Sequence, residues 1–300
     1  MKRLAIGTIL TFLVAAMITA AGCTAPGPSA TTTAPASPAA TTETALLFGE
    51  TYVKTLDGIN EVLEYVASGQ EAEKTEALEN FVESGIAADK FWYKFGPAQP
   101  VQQVRYDYGR LDETRTAATV SALAIIREYD AKKTVKPENI QKFEDDFEAM
   151  RAAYTKYADT YYASLPAKTL DPSTATGAAI SLRKMQADLL ISVSELLEHV
   201  VINEPEEMAE FDAAMARFNT QAEAFKTSPY LSARKNEVIS QQYQEMMTAS
   251  VAFQVAGDKL LSEYGKNKEI SPQMFTAFEA ATDMLRGSYD KLMASVLAKV

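Results

Sequence analysis

The residue types that carry chemistry are unevenly spread along this 300-residue chain. One Cys and one His remove disulfide scaffolds, CxxC zinc sites and multi-histidine metal centres. The lone His199 follows Glu195 by four residues, with Glu198 adjacent. That spacing reads as a helical ion pair, and no second His completes a metal site. No GxSxG, Walker loop, GxGxxG or paired nucleophile and base occurs, so no catalysis, cofactor or metal is expected. What remains is recognition. Arg115 sits at the spacing of the apolar residues Leu111 and Ala118. A guanidinium there must find acceptors, because an unpaired buried charge costs several kcal/mol. It could hold the carboxylate of a small acid in bidentate fashion. Pairing with an internal Asp or Glu, or snorkelling from the seam edge, is the plainer and preferred reading. The small Ala118 and Ala122 are expected to leave room beside it. Arg105, Tyr108, Trp92 and Tyr93 lie in a stretch rich in aromatics and arginines, with Phe91, Phe95, Tyr106 and Arg110. They are candidates to line a pocket or a partner surface, against the duller possibility that they cap a bundle end.

The elements that must position these residues are written twice. Sliding residues 104–165 by 135 positions lays Val104, Tyr108, Leu111, Ile125, Tyr129, Pro137 and Phe143 on Ile239, Tyr243, Met246, Leu260, Tyr264, Pro272 and Phe278. An internal repeat outranks other signals of architecture. In each copy four helices follow one another. A first helix over about 44–68 carries the stripe Leu56, Ile59, Leu63, Val66, matched 134 positions on by Leu190, Val193, Leu197, Val200. The second helix shows Phe81, Gly85, Ala88, Trp92, Phe95 in copy one, and Met208, Phe211, Met215, Phe218, Ala222, Phe225 in copy two. The fourth helices open at Pro137 and Pro272 in the first-turn position, the latter behind the N-cap Ser271. Tyr154, Tyr157, Tyr161 and Tyr162 fall mostly on the seam and read as core, as do the methionines. Short links make neighbours antiparallel. The expectation is therefore an all-α fold of two tandem up-down four-helix bundles with a core each, residues 44–165 and 175–300, joined through 166–174.

Ahead of the helices, Lys2 and Arg3 precede an uncharged apolar run, Leu4 to Ala21, ending Ala20-Ala21-Gly22-Cys23. These are the marks of an export signal over residues 1–22. The last four residues look like a lipobox, with Ala20 where Leu is usual, and Cys23 would carry the lipid. An uncleaved anchor helix and a plain cleaved signal stand as rivals. Residues 23–43, rich in Ala, Pro and Thr, are expected to be a flexible tether. The expected address is extracytoplasmic and membrane-anchored. Forty acidic against 29 basic residues, net −11, argue against nucleic acid as a partner.

A helix ending before a short acidic turn, then Asn203-Glu204-Pro205-Glu206-Glu207 opening an amphipathic helix, then two further long helices, resembles the extracytoplasmic four-helix-bundle sensor module of methyl-accepting chemotaxis receptors. Copy two carries the likeness, and copy one follows through its alignment to copy two. The chain has no second membrane helix, HAMP-like linker or cytoplasmic signalling hairpin after these helices. The resemblance therefore implies a cell-surface sensing or binding module, and in that family bundle arginines hold the carboxylate of small acids. The expected partners are a small-molecule, anionic ligand, a membrane receptor or other surface protein, and a second copy in a homodimer. The alternative is a structural or protein-interaction lipoprotein acting as spacer or docking surface.

Overall fold

In a computed structural model the described residues are 38–95, 102–202, 207–232, 236–267 and 269–300. The leader, Cys23, most of the tether, the Pro97–Pro100 loop and Asn203 to Glu206 lie outside them. The described residues are all-α: α1 (Pro38–Ser68), α2 (Glu71–Phe95), α3 (Gln102–Lys132), α4 (Pro137–Ser164), α5 (Ala175–Ile202), α6 (Glu207–Lys226), a single turn α7 (Pro229–Ser232), α8 (Glu237–Asn267) and α9 (Pro272–Leu297), with no strand among them. The first helix corrects the tether. Residues 38–43 are already helical, because Pro38 suits a first turn, Ala39 and Ala40 favour helix, and Ala45 and Phe48 anchor the segment in the core.

Consecutive long helices pair as antiparallel hairpins, α1 with α2, α3 with α4, α5 with α6 and α8 with α9. Pro137 and Pro272 stand in the first turns of α4 and α9, and the Ser271 hydroxyl accepts from the Met274 N–H at 3.4 Å. The equivalent turns before these helices are held by equivalent glutamates. Glu128 accepts from the Lys136 N–H at 3.2 Å, and Glu263 accepts from the Ser271 N–H at 3.4 Å. The third-helix seams also repeat a buried hydrogen bond: the Tyr108 hydroxyl donates to the Ala88 carbonyl at 3.0 Å, and the Tyr243 hydroxyl to the Ala222 carbonyl at 2.9 Å. A duplicated sequence has thus kept duplicated contacts, residue for residue.

The second helix of copy one needs a correction of phase. Its buried stripe is Phe81, Ser84, Ala88, Phe91, Phe95, so Phe91 fills the core and Trp92 is 40% exposed. Ser84 is tolerated inside because its hydroxyl lies 2.7 Å from the Thr55 hydroxyl and donates to the Thr51 carbonyl at 3.0 Å. Both partners come from α1, so the polar group costs little to bury.

The two copies do not keep separate cores. Buried residues from α1 to α9 make one continuous cluster, with a smaller aromatic cluster around Phe48, Phe91, Tyr157 and Tyr161 at one end of copy one. The cause is the packing of α1 on α5. These helices run parallel and nearly in register: the Gly49 backbone lies against Arg183, and Asn60 donates to the Leu190 carbonyl at 3.1 Å and accepts from Ser194 at 2.5 Å. Asn60 and Ser194 are 134 positions apart, which is the repeat itself. The halves therefore meet like the subunits of a two-fold dimer whose axis runs along the helices. Each central helix is covered all round, so residues 58–65 and 185–198 are buried without interruption.

Candidate functional site

Arg115 is turned back along α3. Its Nε and Nη2 donate to Asp112 at 3.1 and 2.7 Å, an internal pair at a half-buried position. The space that Arg115 lines with Tyr108 and Leu111 is small, about 10 Å³. Phe48, Tyr52 and Tyr154 also line it, the last two stacked. Tyr108 is buried and stacks on Trp92 with ring centroids 4.9 Å apart. Tyr93, Arg105 and Tyr106 are exposed, Tyr93 at 82%. The structure therefore joins Trp92 to Tyr108 and leaves Arg105 and Tyr93 on the surface.

Sequence reasoning missed a pair of buried charge clusters at the junction of the halves. Arg286 of α9 crosses to α1, where Nη1 binds Glu61, Nη2 lies 3.3 Å from Glu64 and Nε lies 3.6 Å from Asp57. Arg151 of α4 makes the equivalent crossing to Glu195 of α5, and also holds Glu148 at 2.6 Å and Glu210 at 2.8 Å. Positions correspond through the repeat: Arg151 with Arg286, Glu148 with Asp283, Glu195 with Glu61 and Glu198 with Glu64. The signal was in the repeat, as two E-x-x-E and two acid-x-x-R spacings. Glu195, read as partner of His199, is held by Arg151, and the His199 ring meets Tyr264 edge to face. A further pair has kept its place and exchanged its signs: Lys54 with Glu83 at 2.7 Å, and Asp188 with Arg217 at 2.7 Å. Burial pushes Glu61 up to about 10, helped by Glu64 and Glu73 and opposed by Arg286. Burial likewise raises Glu64 to about 7, against Arg286, and Glu279 to about 6, with Glu73 contributing. Glu61 therefore holds its proton at neutral pH, Glu64 is near half protonation and Glu279 is mostly ionised.

Between the halves, at the end where α1 and α5 stop, lies a cavity of about 740 Å³. Both copies build it from equivalent positions: Val66 and Val200, Tyr129 and Tyr264, Val135 and Ile270, Ile140 and Phe275. Its lining is mainly aliphatic and aromatic, with Gln70, Lys133, Thr134 and Glu269 the principal polar residues. Lys133 has φ of 57°, at the C-terminal end of α3, and its ammonium lies 5.1 Å from the centre of the Tyr129 ring. Gln70 also donates to both oxygens of Glu279 at 3.0 Å, which links the cavity wall to the carboxylates around Arg286. The volume lies in the range of small-molecule sites, and such sites are commonly apolar with a few polar groups to fix orientation. Among the described residues no helix is long and apolar enough to cross a membrane. No protein-family model, curated protein or solved structure matches this chain.

Proposed function

We propose that this chain is an extracytoplasmic binding module, tethered at the cell surface by lipid on Cys23. Its two up-down helical bundles are fused along α1 and α5, and it takes an uncharged, largely apolar small molecule in the cavity between them. The cavity carries this reading: both copies line it from equivalent positions, and its walls are mainly hydrocarbon. The proposal keeps the sensory role suggested by the resemblance to chemoreceptor modules and moves the ligand from Arg115 to the axis between the halves. A carboxylate ligand fits less well, since Arg115 is engaged by Asp112 and the cavity lies beside an acidic cluster. A bound molecule would touch both halves at once and bias how they sit against each other, which is what a sensor requires of its ligand.

Isothermal calorimetry with uncharged aromatic and terpenoid compounds, and with small organic acids for comparison, tests the proposal. The expected result is binding of apolar compounds that is lost in Val200→Trp, which fills the cavity, and kept in Arg115→Ala. Binding restricted to acids and abolished by Arg115→Ala would overturn it. A second reading, a docking surface for another protein, draws on the exposed Trp92, Tyr93 and Tyr106 together with Arg105. Capture of a surface protein that is lost in Tyr93→Ala and indifferent to Val200→Trp would favour it.

A further inference from the structure

The two charge clusters are not equally neutralised. In the Arg151 cluster one guanidinium reaches all three nearby carboxylates, Glu148, Glu195 and Glu210. In the Arg286 cluster the guanidinium is spent on Glu61, Glu64 and Asp57, with Asp283 at 3.9 Å. Glu73, from the first turn of α2, closes on Glu61 and Glu64 from the other side, and no ion pair joins it to Arg286. One oxygen from each of Glu61, Glu64 and Glu73 lies within 4.8 Å of the others. Glu61 is 2% exposed, and its Oε2 has no hydrogen-bond partner. Two ionised carboxylates only accept and cannot satisfy each other, so where Glu73 meets Glu61 either a shared proton or a cation must lie between them.

We propose that Glu61, Glu64 and Glu73 form a site for a hard divalent cation of the calcium type. An all-oxygen donor set of carboxylates is the chemistry that calcium and magnesium prefer. Oxygens up to 4.8 Å apart match two Ca–O bonds of about 2.4 Å on opposite sides of one ion. Arg286 helps by fixing Glu61 and Glu64 through one oxygen each, which orients the carboxylates before the ion arrives. The ion would tie α2 to α1 at the level where α9 crosses from the other half. Gln70, three residues before Glu73, bonds Glu279 and lines the cavity, so occupancy is placed to alter the cavity wall.

The test uses the whole chain, stripped with EDTA at pH 7.5 and titrated with CaCl2 in a calorimeter, with thermal unfolding measured alongside. Saturable binding and a rise in Tm of about 5–10 °C at a hundredfold excess over Kd are expected. Glu73→Gln, a half-exposed position in the first turn of its helix, should fold and lose both responses. Glu210→Gln removes a carboxylate from the Arg151 cluster and should keep them. No heat and no shift up to 10-fold above millimolar CaCl2 would mean that protons alone neutralise Glu61, overturning the proposal. A response that persists in Glu73→Gln, or vanishes equally in Glu210→Gln, would also overturn it by showing diffuse binding to an acidic surface.

Discussion

Arg286→Met is the perturbation whose outcome follows most directly from the junction of the halves. The wild-type guanidinium is largely buried and faces Asp57, Glu61 and Glu64, the two glutamate side chains being 3% and 2% exposed. Methionine keeps most of the hydrocarbon packing and removes the charge. Stranding a buried partner of a broken ion pair costs about 3–5 kcal/mol. Part of that loss is recoverable, because the stranded carboxylates can take up protons. Glu61 and Glu64 already have folded values raised to about 10 and about 7, above their unfolded range, even with Arg286 holding them down. Without it their values rise further, so the folded variant binds more protons than the unfolded chain. Stability from such groups is present at low pH and falls as pH rises through the folded value. Urea unfolding in EDTA at pH 5.5 and pH 8.5 is the assay. The variant should lose about 3–5 kcal/mol at pH 8.5 and distinctly less at pH 5.5. A loss below about 1 kcal/mol, or one of equal size at both pH values, would refute the reasoning that Arg286 is the main counter-charge of these carboxylates.

Three further outcomes follow from the same geometry. The wild-type protein in EDTA should itself gain stability on going from pH 8.5 to 5.5, by on the order of 1–3 kcal/mol, as Glu64 and Glu279 take up protons with folded values of about 7 and about 6; a flat or opposite trend would count against their burial as acids. Tyr108→Phe and Tyr243→Phe each strand the carbonyl they serve, and urea midpoints should report losses of about 1 kcal/mol each, nearly additive in the double variant because the sites are in different halves. Gly177→Ala would set a Cβ 2.0 Å from the Asp171 carbonyl oxygen, so the link before α5 must shift and Tm should fall, whereas Gly287→Ala, which meets nothing within 4 Å, should leave Tm unchanged or raise it.

The spacing of apolar residues was enough to place the long helices, and the short links were enough to pair them as hairpins. Pro137, Pro272 and Ser271 marked helix starts for the local reason that backbone geometry supplies. The phase of α2 was harder. Ser84 reads as polar and Trp92 as apolar, yet two α1 hydrogen-bond partners make the serine cheap to bury, and Phe91 takes the inward place. The shared core was hidden by α1 itself. A helix buried on every side should look apolar all round, but α1 carries Thr55, Asn60, Glu61 and Glu64 inside, each satisfied or countered from another element. The apolar stripe Leu56, Ile59, Leu63, Val66 marks one face only, and nothing in its spacing places these polar residues inside. The cavity was illegible for a related reason: its wall is drawn from residues near Val66, Tyr129, Val200 and Phe275, which adjoin only once α1 and α5 are laid side by side.

Differential scanning calorimetry of the whole chain tests most directly the claim that two copies of one helical unit have become a single body around α1 and α5. A shared core predicts one transition, with calorimetric enthalpy equal to the van't Hoff enthalpy and near 0.7 kcal/mol per residue, and this transition should move as a whole in Asn60→Ala. Two resolved transitions, with Asn60→Ala shifting neither or only one, would contradict it.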